Sequence, residues 1–490
     1  MRILLIKPPV NPNIYSPDCG EPLELEYLAA SVSQHQVSIL DMRIDRNLHK
    51  KLDTFKPHLV GITAYTCDAN ISREILKEVK KNDHRINTVI GGHHATFLPG
   101  YFATPYIDAV FLGIADNSFP TYVNVLDQGD DIRNVPNIGI VDDENIIFTD
   151  KTEEKVNLDT LPLPDRRLVR HYQSHYLDLT KKRTAYVLTS RGCPFRCTFC
   201  ACWKMMNGKY RIRQPESIIE EILSLPEDVK LIRFADDNTL QNIPRAQRLC
   251  ELLKEKNNKK EITMYARTDL IVKHPDLIEN FRNAGLKHIT VGIEEFRDER
   301  LDQLNKKTSV NINNKAIRIL HNLDIRIGAH FIIHPDFTRK DFRQLYGYVT
   351  DNHLYRPVYT ILTPLPGTDL YEETKEHLVN KNFDFYDFVH CVYPTTLPRN
   401  IFYPLLVKIY KMSYGFPRYM LSYIQDAWHF LHRKKKKFSH VDRLSLLSLA
   451  IVRLFSALKL YRLKRAHRTE PVRSAELKSH IVNPCSEIRI

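Results

Sequence analysis

The chain has no apolar run long enough to span a bilayer, which takes about 20 residues. The best candidate, at 444 to 461, is broken by Arg453 and Lys459, so it can lie on a membrane surface but is not expected to cross one. A secretory leader is also missing: MRILLIKPPVNP has a four-residue apolar run before its prolines, so a cytoplasmic protein is expected. Charge bias is absent from most of the length. Residues 1–400 hold 53 basic and 53 acidic side chains, and the entire excess of +13 comes from 18 basic against 5 acidic residues after them. No internal repeat is apparent. With 43% hydrophobic and 26% charged residues, the composition excludes collagen-like, generally disordered and polytopic membrane classes. A length of 490 residues implies two or three domains. A disulfide framework is absent too, because the nine cysteines are odd in number and Cys193, Cys197 and Cys200 crowd one short segment. That crowding suggests a metal or cluster in a reducing compartment.

Short apolar runs alternate with amphipathic stretches over residues 1–150: ILLI at 3 to 6, VSIL at 37 to 40, LVGITAY at 59 to 65, TVIGG at 88 to 92 and AVFLGI at 109 to 114. This alternation predicts a parallel α/β sheet. Ligands of such sheets sit beyond the carboxyl ends of the strands, where Thr63, Gly91, Gly92, His93 and Gly113 fall. A linker is expected over 151–183, where Pro162 and Pro164 stand close together and no helical period is visible. From 184 to 375 a second series follows, AYVLTS, LIRFADD, ITMYART, HITVGIEE, IGAHFIIHP and VYTILTPLPG, and six such βα units predict a partial barrel with functional groups at the strand ends. Residues 376–490 read as helical, aromatic and increasingly basic, ending in candidates such as RYMLSYIQDAWHFLH and the block RKKKK at 433 to 437.

The strongest chemical signal is SRGCPFRCTFCACW at 190 to 203, directly after a predicted strand. Three thiolates spaced C-x3-C-x2-C can hold three irons of a [4Fe–4S] cluster and leave the fourth iron open. An open iron can bind S-adenosylmethionine, inject an electron into its sulfonium and release a 5′-deoxyadenosyl radical. Zinc, with Cys202 as a fourth ligand, is the competing reading; zinc sites prefer a second, distant ligand pair, which is missing.

This loop, with Phe199 before its third cysteine, resembles the signature of the radical S-adenosylmethionine superfamily. The N-terminal region resembles the cobalamin-binding domain of one class of these enzymes in GEPLELEYLAA, VGIT and GGHHATFLPG, and FADDN, GIEE and TPLPGTDLYEE continue the agreement to about residue 375. The resemblance implies a Rossmann-like cobalamin-binding domain, a central (β/α)6 partial TIM barrel and a helical, basic C-terminal region. It also implies that Phe199, Asp236, Asp237, Arg267 and Glu294 contact S-adenosylmethionine, while Thr63, Gly91, Gly92, His93 and Gly113 contact cobalamin. Read without it, the strand-end carboxylates and arginine are surface ion pairs, and His93 and His94 cap a turn. No D-x-H-x-x-G motif follows the first strand, so the resemblance implies cobalamin without an axial protein histidine. GIADNSF at 113 to 119 stands where the family carries a run of glycines and acids.

Within the class the resemblance runs to the hopanoid C-3 methylases, through RRLVRHYQSHY at 166 to 176, IIHPDFTRKDF at 332 to 342 and FDFYDFVHCVYPTTLPRNIFY at 383 to 403. The expectation is a methyltransferase acting on an unactivated carbon of a hopanoid or other isoprenoid lipid, fed by an external one-electron reductant. The basic tail predicts peripheral contact with anionic membrane, against a solvated helical face. No nucleic-acid partner is expected. The rival readings are a radical cyclase of porphyrin-like substrates, an RNA methylthiotransferase and a non-enzymatic iron–sulfur carrier or sensor.

Overall fold

A computed structural model describes residues 1–10, 19–153, 157–178 and 180–414. The tail helices, the lysine block and the 444–461 segment lie outside the described residues. Among those described, no helix is long and apolar enough to cross a membrane.

The N-terminal sheet contains β1 (Arg2–Lys7), β2 (Gln36–Asp41), β3 (Leu59–Thr63), β4 (Asn87–Gly91), β5 (Ala109–Phe111), β6 (Ile138–Asp142) and β7 (Asn145–Phe148), in the order β2-β1-β3-β4-β5-β6-β7. The first five strands are parallel, as the apolar runs predict, and β6 and β7 add an antiparallel hairpin. Helices cover both faces, which is why the strands read as continuous apolar runs. Leu4, Ile6, Val60, Ile62 and Ile90 fill one core, and Ile3, Leu5, Leu59, Val89 and Phe111 fill the other. The order reverses between β1 and β3, where ligands of doubly wound sheets bind.

The expected linker folds back on this sheet. Arg166–His175 is a 3₁₀ helix whose Val169 and Tyr172, with Tyr176 beyond it, join the second core. The chain then enters β8 (Thr184–Val187), the short antiparallel pair β9 (Ser190–Arg191) and β10 (Arg211–Ile212), and β11 (Leu231–Phe234), β12 (Glu261–Ala266), β13 (Leu286–Glu294), β14 (Arg326–Ile333) and β15 (Val358–Ile361). Six of these form one parallel sheet, β15-β14-β13-β12-β11-β8. Its two ends do not pair with each other, so the sheet is a half-barrel. Helices pack on one face only, over Val187, Ile232, Met264, Ile289 and Phe331. The helix Arg399–Ser413 closes against β15, with the Tyr410 hydroxyl donating to the carbonyl of Tyr359.

A buried ionic chain joins the two domains. Arg166 Nε donates to Glu21 at 3.1 Å and its Nη2 to Glu221 at 2.7 Å, Arg213 bonds the other oxygen of Glu221, and Glu21 also accepts from the Tyr186 amide at 2.8 Å. The N-terminal domain, the connecting helix and the barrel each contribute a member.

Candidate active site

The carboxyl end of β8 leads into the cysteine loop, and Asp236 and Asp237 fasten the loop's base. Both Asp236 oxygens are taken: one accepts from the amides of Thr189 and Ser190 at 2.8 and 2.9 Å, the other from the Thr189 hydroxyl. With both oxygens engaged and the residue 4% exposed, Asp236 holds the strand end rather than presenting an open carboxylate. Asp237 accepts from the Gly192 amide at 2.8 Å. Cys193, Cys197 and Cys200 lie close enough to feel one another's charge, and burial pushes the Cys193 thiol up to about 11. Burial raises Cys197 as well, opposed by Lys306 and Arg267.

A cationic wall stands beside these thiols. Arg267 stacks over Phe195 with 3.5 Å to the ring centre and is held by Asp269 at 2.9 Å and the Lys306 carbonyl at 2.7 Å. Lys306 pairs with Glu294 at 2.7 Å and lies 5.9 Å from the ring centre of Phe199. Burial works against the Lys306 charge, but Glu294 and Cys197 more than offset it, so the ammonium is held above its usual range. Glu294 sits at φ 62°, at the β13 irregularity that turns it toward Lys306. Lys306 escapes the sequence reading because NKK at 305 to 307 has no periodicity or motif to mark it. Such positive groups suit a cluster held by three thiolates. Among the described residues no three His, Cys, Asp or Glu side chains form a site for a single metal ion. Three thiols on one loop with Lys306 and Arg267 beside them are a donor set that fits a cluster held at three of its irons.

On the facing domain, Thr63, Gly91, Gly92, His93 and Gly113 gather at the carboxyl edge of β3, β4 and β5. Thr63 pairs with Gly91. Gly92, at φ 99°, lets β4 turn tightly over its neighbour, where a Cβ would press on Thr63 and Ala64; its compactness serves this crossing of the chain. Gly113 donates its amide to Thr96 at 3.0 Å, and the space beside it is open. His93 shares Thr66 with His94, each Nδ1 lying 3.3 Å from the hydroxyl, and among the described residues neither Nε2 has a partner. Burial pushes His93 down to about 4 and His94, with His93 beside it, to about 3, so both are neutral near pH 7. An open cradle at Gly113 and an unpaired imidazole nitrogen at His93 fit a large group with polar edges, as cobalamin is.

The two edges meet. Arg191 of the cysteine loop pairs with Asp116 of the GIADNSF segment, and Gly367, in the loop after β15, packs so tightly on Phe97 that a Cβ would overlap its ring. The start of the segment 383–403 reaches the N-terminal domain, while its later residues join the barrel core. Asn70 donates to Asn382 and Asp384 at 2.8 and 3.0 Å, Phe383 meets the His94 ring at 4.4 Å, and His390 Nδ1 lies 2.7 Å from Asp387.

Comparison with known proteins agrees with this geometry. The radical SAM superfamily model matches residues 187–349 and the B12 binding domain model residues 13–123. Hopanoid C-3 methylase of Methylococcus capsulatus is 25% identical over 80% of this chain and 76% of its own length. Anaerobic magnesium-protoporphyrin IX monomethyl ester cyclase of Rubrivivax gelatinosus is 30% identical over 70% of this chain, which spans 63% of that protein. Among solved structures, the cobalamin-dependent S-adenosylmethionine radical enzyme OxsB, with aqua-cobalamin and S-adenosylmethionine bound, aligns with a TM-score of 0.66 at 15% identity over 98% of this chain and 83% of its own. The radical S-adenosylmethionine methyltransferase TsrM of Kitasatospora setae, with cobalamin and a [4Fe–4S] cluster bound, aligns at 0.62 and 18% identity over 76% of this chain and 74% of its own. Both share the fold.

Proposed function

The chain belongs to the cobalamin-binding radical S-adenosylmethionine enzymes, with a [4Fe–4S] cluster, S-adenosylmethionine and cobalamin as its cofactors, and from that premise we propose that this methyltransferase adds a methyl group to an unactivated carbon of a polycyclic or isoprenoid lipid, hopanoids included. When bound, these groups supply the electron, the radical chemistry and the transferable methyl. The protein positions them. Cys193, Cys197 and Cys200 would hold the cluster, Asp237 would brace its loop, and Arg267, Glu294 and Phe199, with Lys306, would flank the nucleotide. Thr63, Gly91, Gly92, His93 and Gly113 would line the cobalamin edge. The observation that carries this reading is the seam of Arg191 with Asp116 and Gly367 with Phe97, which sets the two cofactor edges face to face. Radical transfer needs its partners close and dry, and proximity is what a protein contributes to it.

The lipid is supported by the alignment with hopanoid C-3 methylase and by the 383–403 segment, whose start touches the N-terminal domain beside His94. An external one-electron reductant would feed the cluster, and the basic residues after 401 would bring the enzyme to anionic membrane. Cells with and without the gene, grown on methionine with a deuterated methyl group, test the reading. A lipid carrying three deuterons only when the gene is present is expected; unchanged lipid profiles would overturn it. The 30% identical cyclase favours a second reading, ring closure on a tetrapyrrole methyl ester, which the same experiment separates because ring closure adds no methyl: its product would carry no deuterated methyl beyond the one its ester already holds.

A further inference from the structure

Interiors of closed parallel barrels are filled by layers of bulky branched side chains. The concave face of this half-barrel is not. Along the strands, residues that point to the helices are apolar and buried, as in Ile232, Met264, Ile289 and Ile327. Their alternate neighbours are polar and aligned. The strand register places Tyr186 beside Arg233, Arg233 beside Thr263, Thr263 beside His288 and His288 beside Arg326. One row therefore crosses five strands. Arg233 donates to the Tyr186 hydroxyl at 3.1 Å, and the Thr263 hydroxyl lies 3.1 Å from His288 Nδ1. Arg356, in the loop before β15, approaches the same imidazole: burial first, then the charges of Arg326, Arg356 and Arg233, push His288 down to about 3. Among the described residues, Glu261 at the foot of β12 is bonded to Lys182 at 2.7 Å and lies 3.8 Å from Arg326. The next row is polar as well, with Tyr265 beside Thr290 and Tyr265 41% exposed.

We propose that this row anchors an anionic group, a carboxylate or a phosphate, carried by the methyl acceptor. Two guanidinium groups on the row, Arg233 and Arg326, with Arg356 acting on the His288 imidazole from the loop before β15, match planar, bidentate recognition of such anions. The row also lies well below the strand ends: His288 and Glu294 are separated on β13 by on the order of 20 Å at about 3.3 Å per residue. That span suits a long acceptor, held at one end by its acid and presenting the other to the cysteine loop. The proposal rests on the lipid methyltransferase reading and narrows it to acidic lipids.

Calorimetric titration of the full-length, anaerobically reconstituted protein tests it with inorganic phosphate, acetate and three C15 isoprenoid probes: the monophosphate, the carboxylic acid and the neutral alcohol. The anionic C15 probes are expected to bind at least tenfold more tightly than the alcohol, and the tighter of the two identifies the acid. Arg233→Gln and Arg326→Gln should each shrink that advantage at least fivefold, Arg326→Lys, which keeps the charge but loses the planar fork, should retain only part of it, and the surface variant Arg248→Gln should keep it in full. Should Arg233→Gln fail to accumulate, Arg356→Gln carries the same test. Equal binding of alcohol and anions, or an undiminished advantage in Gln variants with parental iron content and melting temperature, would overturn the anchor and leave the lipid reading standing. Phosphate binding that Arg233→Gln removes, with no C15 probe bound, would support the anchor and overturn the lipid reading instead.

Discussion

Both halves of this protein are built on mainly parallel sheets with helices packed against them, yet they offer ligands different surfaces. The N-terminal sheet buries both faces, under Ile6 and Ile62 on one side and Leu5 and Leu59 on the other, so only its carboxyl edge is left for a cofactor. The half-barrel buries one face and turns the other, with Arg233, His288 and Arg326, inward. An open, doubly covered sheet binds at its edge; a curved sheet covered once can also bind on its face. The two sheets therefore differ in which surface they leave uncovered: the first its carboxyl edge, the second also one face.

The sharpest way to break this comparison is at the cysteine loop, because it belongs to the barrel alone. Cys193→Ala, Cys197→Ala and Cys200→Ala are each expected to abolish reductive cleavage of S-adenosylmethionine and reduce iron below about four per chain, while Cys202→Ala keeps cleavage. Gas-tight assays of 5′-deoxyadenosine with iron analysis read this, and full activity in Cys197→Ala would remove the cluster from this loop.

Next in size is the ionic chain between the halves. Arg166→Met strands buried Glu21 and half of Glu221, and breaking a buried pair from one side costs about 3–5 kcal/mol. Chemical denaturation should show that loss, and two separate transitions in place of one if the clasp alone couples the domains. A loss under about 1 kcal/mol would show that the apolar seam holds them without it.

Acid should strike the N-terminal edge more gently. His93 and His94 are neutral when folded, at about 4 and 3, against roughly 6.5 when unfolded. The unfolded chain therefore takes up protons first. Their stabilising contribution is complete above about pH 6.5 and declines as pH falls from there toward the folded values, by on the order of 2 kcal/mol per histidine at pH 5. His94→Phe, which suits the aromatic surroundings of Tyr101, Phe102 and Phe383, should flatten the pH 7 to 5 decline in melting temperature; an unchanged slope would place the acid sensitivity elsewhere. The smallest effect belongs to the convex surface: Arg248→Gln, with exposed partners Glu216, Glu251 and Glu255, should change stability by less than about 1 kcal/mol.

Much of the strand framework could be read in advance because parallel strands announce themselves as apolar runs, and LVGIT and HITVG are strands where expected. The hairpin β6–β7 has no strong sequence signature, because NIGIVDDENIIF offers only short apolar segments flanking a polar turn. The 3₁₀ helix at 166–175 hides within the linker because Val169 and Tyr172 follow a period of three, not the helical 3.6. In the barrel strands, LIRF, ITMY and RIGAHF alternate apolar with polar residues while ILLI does not, and that alternation already marks a face that is not core. The cysteines were legible from spacing alone. Lys306 against Glu294, and Glu21 against Arg166 and Glu221, were not, since a pairing between distant segments has no local pattern.

Two glycines stand at contacts between the domains: Gly20 under the ring of Tyr186, and Gly367 against Phe97. At neither is there room for one more carbon. A chimera that exchanged either half for a relative's would have to bring the matching glycine or the matching ring with it. The joint behaves less like a linker between interchangeable modules than like a moulded fit, and substitutions at these two positions should appear in pairs whenever the halves diverge.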